Sequence, residues 1–186
     1  MTRIVAGAAR GRRLKVPSGS GTRPTSDRVR EALFSSLESM SGSLHGLRVL
    51  DLFAGSGALG LEAISRGAGY AMLVESDVSA VRMIRANVAA VGLGDVDVRA
   101  APVGRVLASS PDKPFDLVLA DPPYAMGASE ITGLLSALEA GWLAPDAVVV
   151  VERPARGEPV TWPAGLVAVR DRRYGETRLW YGRPAG

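Results

Sequence analysis

The stretch Val49-Leu50-Asp51-Leu52-Phe53-Ala54-Gly55-Ser56-Gly57-Ala58-Leu59-Gly60 decides the fold. The run Arg48 to Leu52 reads as a buried strand, and glycines at 55, 57 and 60 follow it before a helical pattern begins. Strand, glycine-rich turn and helix in that order are the setting in which GxGxxG spacing carries meaning. Glycines let the turn close tightly and let a ligand approach the backbone. Downstream, the apolar runs Ala71 to Glu75, Val96 to Val98, Phe115 to Ala120 and Ala147 to Val151 alternate with helical stretches at about 57–67, 77–91, 102–109 and 128–141. Short buried runs separated by helices predict a parallel sheet covered on both faces. The tail from Leu166 through Tyr174-Gly175-Glu176 to Tyr181 predicts a hairpin turning at Gly175, which makes the C-terminal strand antiparallel. The fold class is therefore α/β, doubly wound and Rossmann-like.

Upstream, the first 24 residues are rich in Gly, Arg, Ser and Pro, with one apolar patch at Arg3-Ile4-Val5-Ala6-Gly7. Two short strands or an extended arm suit that composition. A helix is expected from Thr25-Ser26-Asp27, which supply cap residues ahead of Val29, Leu33, Phe34 and Leu37, to about Ser41-Gly42. The expected division is a small basic N-terminal extension, 1–24, and one main domain, 25–186.

Composition narrows the chemistry. The chain has no cysteine, which excludes disulfides, thiolate nucleophiles and Cys-ligated metal sites, and its one histidine, His45, cannot build a triad. No apolar run is long enough for a membrane span and no secretion signal is visible, so a cytoplasmic protein without membrane or metal partners is expected. The net charge of +3 hides an asymmetry. Basic residues outnumber acids eight to one in 1–30 and five to two in 170–186, whereas acids lead sixteen to nine between them. Cationic ends around an acidic middle suggest a polyanion held from the termini.

Two sites carry the chemistry. In the first, Asp51 ends the first strand of the sheet, where a carboxylate attracts an amino group directly or through water. Glu75, followed by Ser76, closes the second strand, where it can accept both hydroxyl protons of a ribose. Together with the turn Phe53-Ala54-Gly55-Ser56-Gly57 they suit an adenosine linked to an amino acid. In the second, Phe115 to Ala120 ends in Asp121-Pro122-Pro123-Tyr124, at the carboxyl edge where open α/β sheets bind ligands. An exocyclic base amine is a poor nucleophile because its lone pair is delocalised into the ring. The Asp121 carboxylate and the Pro122 carbonyl can each accept one of its protons and so aim the lone pair at a sulfonium methyl. Tyr124 offers a face on which an extruded base stacks. A dehydrogenase has no use for this loop.

In these motifs the sequence resembles the bacterial 16S ribosomal RNA guanine-N2 methyltransferases of the RsmD type, and it does so over essentially its whole length. The resemblance rests on Arg3 to Gly7 with Gly11-Arg12-Arg13-Leu14, on Thr22-Arg23-Pro24-Thr25-Ser26-Asp27-Arg28-Val29-Arg30-Glu31-Ala32-Leu33-Phe34, on Asp51 to Ala63, and on Asp121 to Tyr124. The glycine and DPPY motifs recur among amino-methyltransferases, and the second of these segments is much narrower. The resemblance implies a seven-stranded methyltransferase sheet and S-adenosylmethionine as cofactor. It also implies one guanine of 16S ribosomal RNA, in an assembled or assembling small subunit, as target. Asp121, Pro122, Pro123 and Tyr124 would form the catalytic loop, and Asp51, Phe53, Ala54, Gly55, Ser56, Gly57, Glu75 and Ser76 would hold the cofactor.

The expected phosphate contacts are Arg10, Arg12, Arg13, Arg23, Arg28 and Arg30, and a monomer is expected. One departure stands out: Ala100-Ala101-Pro102 occupies the place where many methyltransferases carry an Asp or Asn for the adenine amine, leaving adenine to backbone groups and packing. The competing readings are a DNA adenine-N6 methyltransferase and a non-catalytic RNA-binding assembly factor. A protein-glutamine methyltransferase, which would carry Asn-Pro-Pro-Tyr, and an NAD dehydrogenase rank below them.

Overall fold

A computed structural model describes residues 2–18 and 25–186. Its main sheet has seven strands in the order β5-β4-β3-β6-β7-β9-β8. They are β3 (Arg48–Leu52), β4 (Tyr70–Glu75), β5 (Asp95–Ala100), β6 (Phe115–Ala120), β7 (Leu143–Pro154), β8 (Leu166–Tyr174) and β9 (Thr177–Pro184). Strands β3 to β7 pair in parallel, and β9 runs antiparallel between β7 and β8, as the hairpin at Gly175 requires. The helices are α1 (Asp27–Ser41), α2 (Ala58–Ser65), α3 (Val78–Val91), α4 (Val103–Leu107) and α5 (Ala128–Leu138). The observed helices lie within the expected bounds, trimmed slightly at their ends, and β7 extends beyond its apolar run on both sides.

Alternation along each strand sends side chains to two cores. Val49, Leu117, Leu119, Val148 and Val150 meet Leu33, Phe34 and Leu37 of α1 and Ala63 of α2. Leu50, Leu52, Val118, Val149 and Val151 meet Val103 and Leu107 of α4 and Ile131, Leu135 and Leu138 of α5. Both faces of the strands are apolar because both are covered. Helix starts follow local chemistry: Ser26 Oγ accepts from Val29 N at 3.2 Å, and Asp77 Oδ1 accepts from Ala80 N at 2.8 Å.

The N-terminal residues form a two-stranded antiparallel hairpin, β1 (Thr2–Arg3) and β2 (Arg13–Leu14), which is docked on the domain. Ile4, Ala9 and Leu14 are buried against Leu61 of α2 and Val91 of α3. Gly7, at φ +82°, lies so close to α2 that a Cβ there would sit 1.9 Å from the Ser65 carbonyl oxygen, so only glycine permits this approach. Glu62 of α2 is fully buried and accepts from Val5 N at 2.9 Å and Ala6 N at 3.0 Å. Opposite it, Arg30 of α1 pairs with Asp27 at 2.9 Å and Glu62 at 3.4 Å, and also donates to Thr2 Oγ1 and the Arg3 carbonyl.

This corrects one expectation. Arg30 has no exposed surface and so cannot contact phosphate; it joins the hairpin to α1 and α2. At the other end of the chain, Arg170 and Arg183 donate to the Ser36 and Met40 carbonyls near the end of α1, where cationic groups favour the helix dipole. Those two C-terminal arginines serve the fold.

Candidate active site

The turn after β3 is held by the two carboxylates that sequence assigns to a cofactor. Gly55 and Gly57 take φ +58° and +80°, and Phe53, which is not glycine, takes φ +60°. A bulky residue in the left-handed region is a strained position of the kind that collects at ligand sites. Asp51 Oδ2 accepts from Gly60 N at 2.9 Å, and a Cβ at Gly60 would lie 2.1 Å from Leu73 Cδ2, so the third glycine lets α2 press onto the sheet. Glu75 Oε2 accepts from Gly55 N at 2.8 Å, while its Oε1 accepts from Ser76 N and Asp77 N. Asn87, which sequence reading missed, donates to the Ser56 carbonyl and exchanges hydrogen bonds with the backbone of Lys15. It thereby links the glycine turn to the N-terminal segment.

Beside the turn opens a cavity of about 370 Å³, within the range of small-molecule sites. Phe53, Glu75 and Ser76 form one side, and Pro102, Val103, Leu107, Met126 and Leu134 form apolar walls. Asp51 and residues 54–57 lie beneath or beside this cavity and not on its wall. The residues fit S-adenosylmethionine: Glu75 suits a ribose, and Pro102 and Val103 supply packing for adenine where a side-chain acceptor is missing. Leu107 and Leu134 escaped the sequence reading because helical periodicity makes them look like ordinary core, and Met126 because it is a single apolar residue in the segment between β6 and α5.

Asp51 is 1% exposed, so towards a cofactor ammonium it would serve only as negative potential under the turn, without direct contact. Burial raises its pKa to about 7, with the Gly60 N–H drawing it down and the Glu75 charge pushing it up. A bound ammonium favours the ionised carboxylate, so binding displaces a proton wherever Asp51 is protonated beforehand. S-adenosylmethionine affinity is therefore expected to strengthen about fivefold between about pH 6 and about pH 7, then level off. Calorimetry across that range checks this, and an affinity that does not vary with pH would remove Asp51 from cofactor binding.

The second site lies at the carboxyl edge of β6. Asp121 is half-buried, Pro122 is buried, and Pro123 and Tyr124 are exposed. Arg153 at the end of β7 donates to the Pro123 carbonyl at 3.2 Å and the Met126 carbonyl at 2.8 Å, and Met126 N donates to the Pro123 carbonyl as well. These contacts fix the loop, while no backbone N–H among the described residues reaches the Pro122 carbonyl. Burial lifts the Asp121 carboxyl well above the usual carboxylate range; Glu152 and then Asp51 push it further, against the Arg153 charge. A carboxyl so raised accepts a proton readily, and the loop presents it together with a carbonyl.

Of the expected phosphate contacts, Arg10, Arg13 and Arg28 are exposed and Arg23 lies outside the described residues. The Arg12 guanidinium donates to the Ala90 and Val91 carbonyls at the end of α3, which anchors the hairpin.

Compared with known proteins, residues 2–183 match the family described as Conserved hypothetical protein 95. The chain is 39% identical over 175 residues to the ribosomal RNA small subunit methyltransferase D of Escherichia coli K12, covering 94% of this chain and 85% of that protein. Its identity to the Haemophilus influenzae protein of the same name is 32% over 176 residues, covering 93% and 89%. The solved structure of yhhF from Escherichia coli superimposes with a TM-score of 0.84 at 36% identity, over 98% of this chain and 97% of that one. The rRNA methyltransferase aviRa from Streptomyces viridochromogenes, at a TM-score of 0.73 and 18% identity over 91% and 88%, shares the fold alone. With a match along nearly its whole length and these two relatives above 30% identity, the chain belongs to the Conserved hypothetical protein 95 family, that of the ribosomal RNA small subunit methyltransferases D.

Proposed function

We propose that this protein transfers a methyl group from S-adenosylmethionine to the exocyclic N2 amine of one guanine of 16S ribosomal RNA, in the small ribosomal subunit. The observation that carries the reading is the placement of Asp121-Pro122 one strand away from the turn Phe53–Gly57, with the cavity bounded by Phe53, Glu75 and Met126 alongside. The identity to proteins named ribosomal RNA small subunit methyltransferase D supports the choice of RNA.

The cofactor supplies an electrophilic methyl on a sulfonium. Asp121 and the Pro122 carbonyl accept the two amine protons and bring the nitrogen lone pair into line. Tyr124 provides a stacking face for the extruded base. As the new N–C bond would form, the methyl–sulfur bond of the sulfonium would break to leave a neutral thioether, and the nitrogen would shed one proton to the Asp121 carboxylate, whose raised pKa suits it to receive one. The segment 1–24 serves as an RNA-binding extension, in which the exposed Arg10 and Arg13, together with Arg23 and with Arg28 of α1, take phosphates. The protein works as a cytoplasmic monomer.

The test is transfer of a radiolabelled methyl from S-adenosylmethionine to naked 16S RNA, unmethylated small subunits and duplex DNA. Label recovered as N2-methylguanine in ribosomal RNA is the expected result. Label confined to adenine in DNA would replace the reading, and no label in any acceptor would turn it towards a non-catalytic assembly factor.

A further inference from the structure

We propose, resting on that reading, that Glu152 identifies the base as guanine by accepting its ring N1–H while Asp121 and the Pro122 carbonyl hold the N2 protons.

The topology puts the two carboxylates side by side. Strands β6 and β7 pair in parallel with Ala120 opposite Val151, so Asp121 and Glu152 are the next residues on neighbouring strands at the same carboxyl edge. Neighbouring strands lie about 4.8 Å apart, and residues two apart share a face, so both carboxylates leave the sheet on the side of Leu119 and Val150. Both are thus turned towards α1, and Thr25, just ahead of that helix, donates from Oγ1 to Glu152 Oε2 at 2.9 Å. The hydroxyl of Thr177 on β9 holds the same carboxyl.

Nothing in the fold calls for a carboxylate here. Glu152 is 8% exposed and continues a face occupied by Val148 and Val150, where an apolar residue would pack without desolvating a charge. Hydroxyls orient it, and among the described residues no cation pairs with it: the adjacent Arg153 is committed to the Pro123 and Met126 carbonyls. Burial lifts its pKa, so two carboxyls that resist ionisation together stand at the edge where the base must come. A ligand that brings several N–H donors would relieve both.

Guanine is such a ligand. Its Watson–Crick edge presents N1–H beside N2–H₂, whereas adenine presents a bare N1 lone pair beside its amine. Two carboxylates and one carbonyl match the guanine edge donor for acceptor, and they repel the adenine edge. This is discrimination by an unfavourable contact as well as by a favourable one. It also gives a task to Thr25, which lies in the segment Thr22 to Phe34 that singles out this family: Ser26 caps α1, Asp27 and Arg30 lock the hairpin, and Thr25 sets the Glu152 carboxyl.

The experiment uses the mapped target guanine, replaced in the acceptor RNA by 2-aminopurine, which keeps the amine and carries a lone pair at N1. The wild-type protein is expected to prefer guanine by about a hundredfold in kcat/KM. Glu152→Gln, whose amide can offer either an acceptor or a donor, should cut that preference to within a few-fold of unity. Its S-adenosylmethionine affinity should stay unchanged. Thr25→Val, which keeps the carboxylate and loses its anchor, should narrow the preference several-fold. An undiminished preference in Glu152→Gln would overturn the assignment. If the wild-type protein methylates no guanine N2 at all, it is the underlying reading that fails.

Discussion

Asp121→Ala is expected to lower kcat by about a thousandfold or more, with the folded state intact and S-adenosylmethionine still bound. The size follows from two losses at one residue: an acceptor that orients the amine, and the base that removes its proton. The Pro122 carbonyl survives the substitution but can hold only one of the two amine protons. Asp121→Asn keeps an acceptor oxygen and lacks the base, so its loss should be smaller, about ten- to a hundredfold.

Stability should move the other way. A half-buried acid whose pKa is raised on folding holds its proton more tightly in the folded state than in the unfolded one. Above the ordinary carboxylate range it therefore costs stability, and removing it should leave the melting temperature unchanged or higher. Activity falling while stability holds is the signature sought. Single-turnover methyl transfer and a melting curve on the same preparations supply it; an Asp121→Ala protein with near wild-type turnover would take the chemistry away from this loop.

The same carboxyl sets the pH profile. With Glu152 and Asp51 facing it and only Arg153 in opposition, Asp121 becomes an acceptor at a pH above the ordinary carboxylate range. Methyl transfer should therefore rise with pH across that interval, and the acid limb should shift downward in Glu152→Gln, which removes the largest neighbouring charge.

The sheet was legible because a parallel strand covered on both faces must be apolar throughout, as the buried run Val148 to Val151 is. The glycine turn was legible because positive φ at residues 55 and 57 favours glycine and the contact of Gly60 with Leu73 requires it. What sequence hid was the state of its charges. Counting arginines in 1–30 cannot separate Arg30, fully buried, from Arg28, exposed two residues earlier, because the difference is the side of α1 on which each falls. A signal was present in α2: Glu62 follows Leu59 at helical spacing and precedes Ala63 and Ile64, so a carboxylate stands on the core side and demands a buried cation. Glu152 left no such trace, since its neighbour Asp121 is distant in sequence and only the pairing of β6 with β7 joins them.

Arg30→Met is expected to destabilise the protein by about 3–5 kcal/mol, the cost of leaving a buried partner without its counter-charge. Glu62 keeps Arg66 at 3.0 Å and the Val5 and Ala6 amides, so it is not wholly abandoned. Thr2, the Arg3 carbonyl and Asp27 all lose a donor, however, and the hairpin loses its tie to α1. Denaturant unfolding should show a lower midpoint, and Arg30→Met combined with Glu62→Gln should cost less than the two changes added together, because both sever the same contact. Arg28→Met, two residues away and exposed, should leave stability within about 0.5 kcal/mol. In RNA binding the order reverses: Arg28→Met should flatten the salt dependence by about one counterion, whereas Arg30→Met should leave that slope unchanged wherever the protein remains folded. A stable Arg30→Met protein with a reduced salt slope would return Arg30 to the phosphate contacts and require a rearranged N-terminal hairpin on RNA.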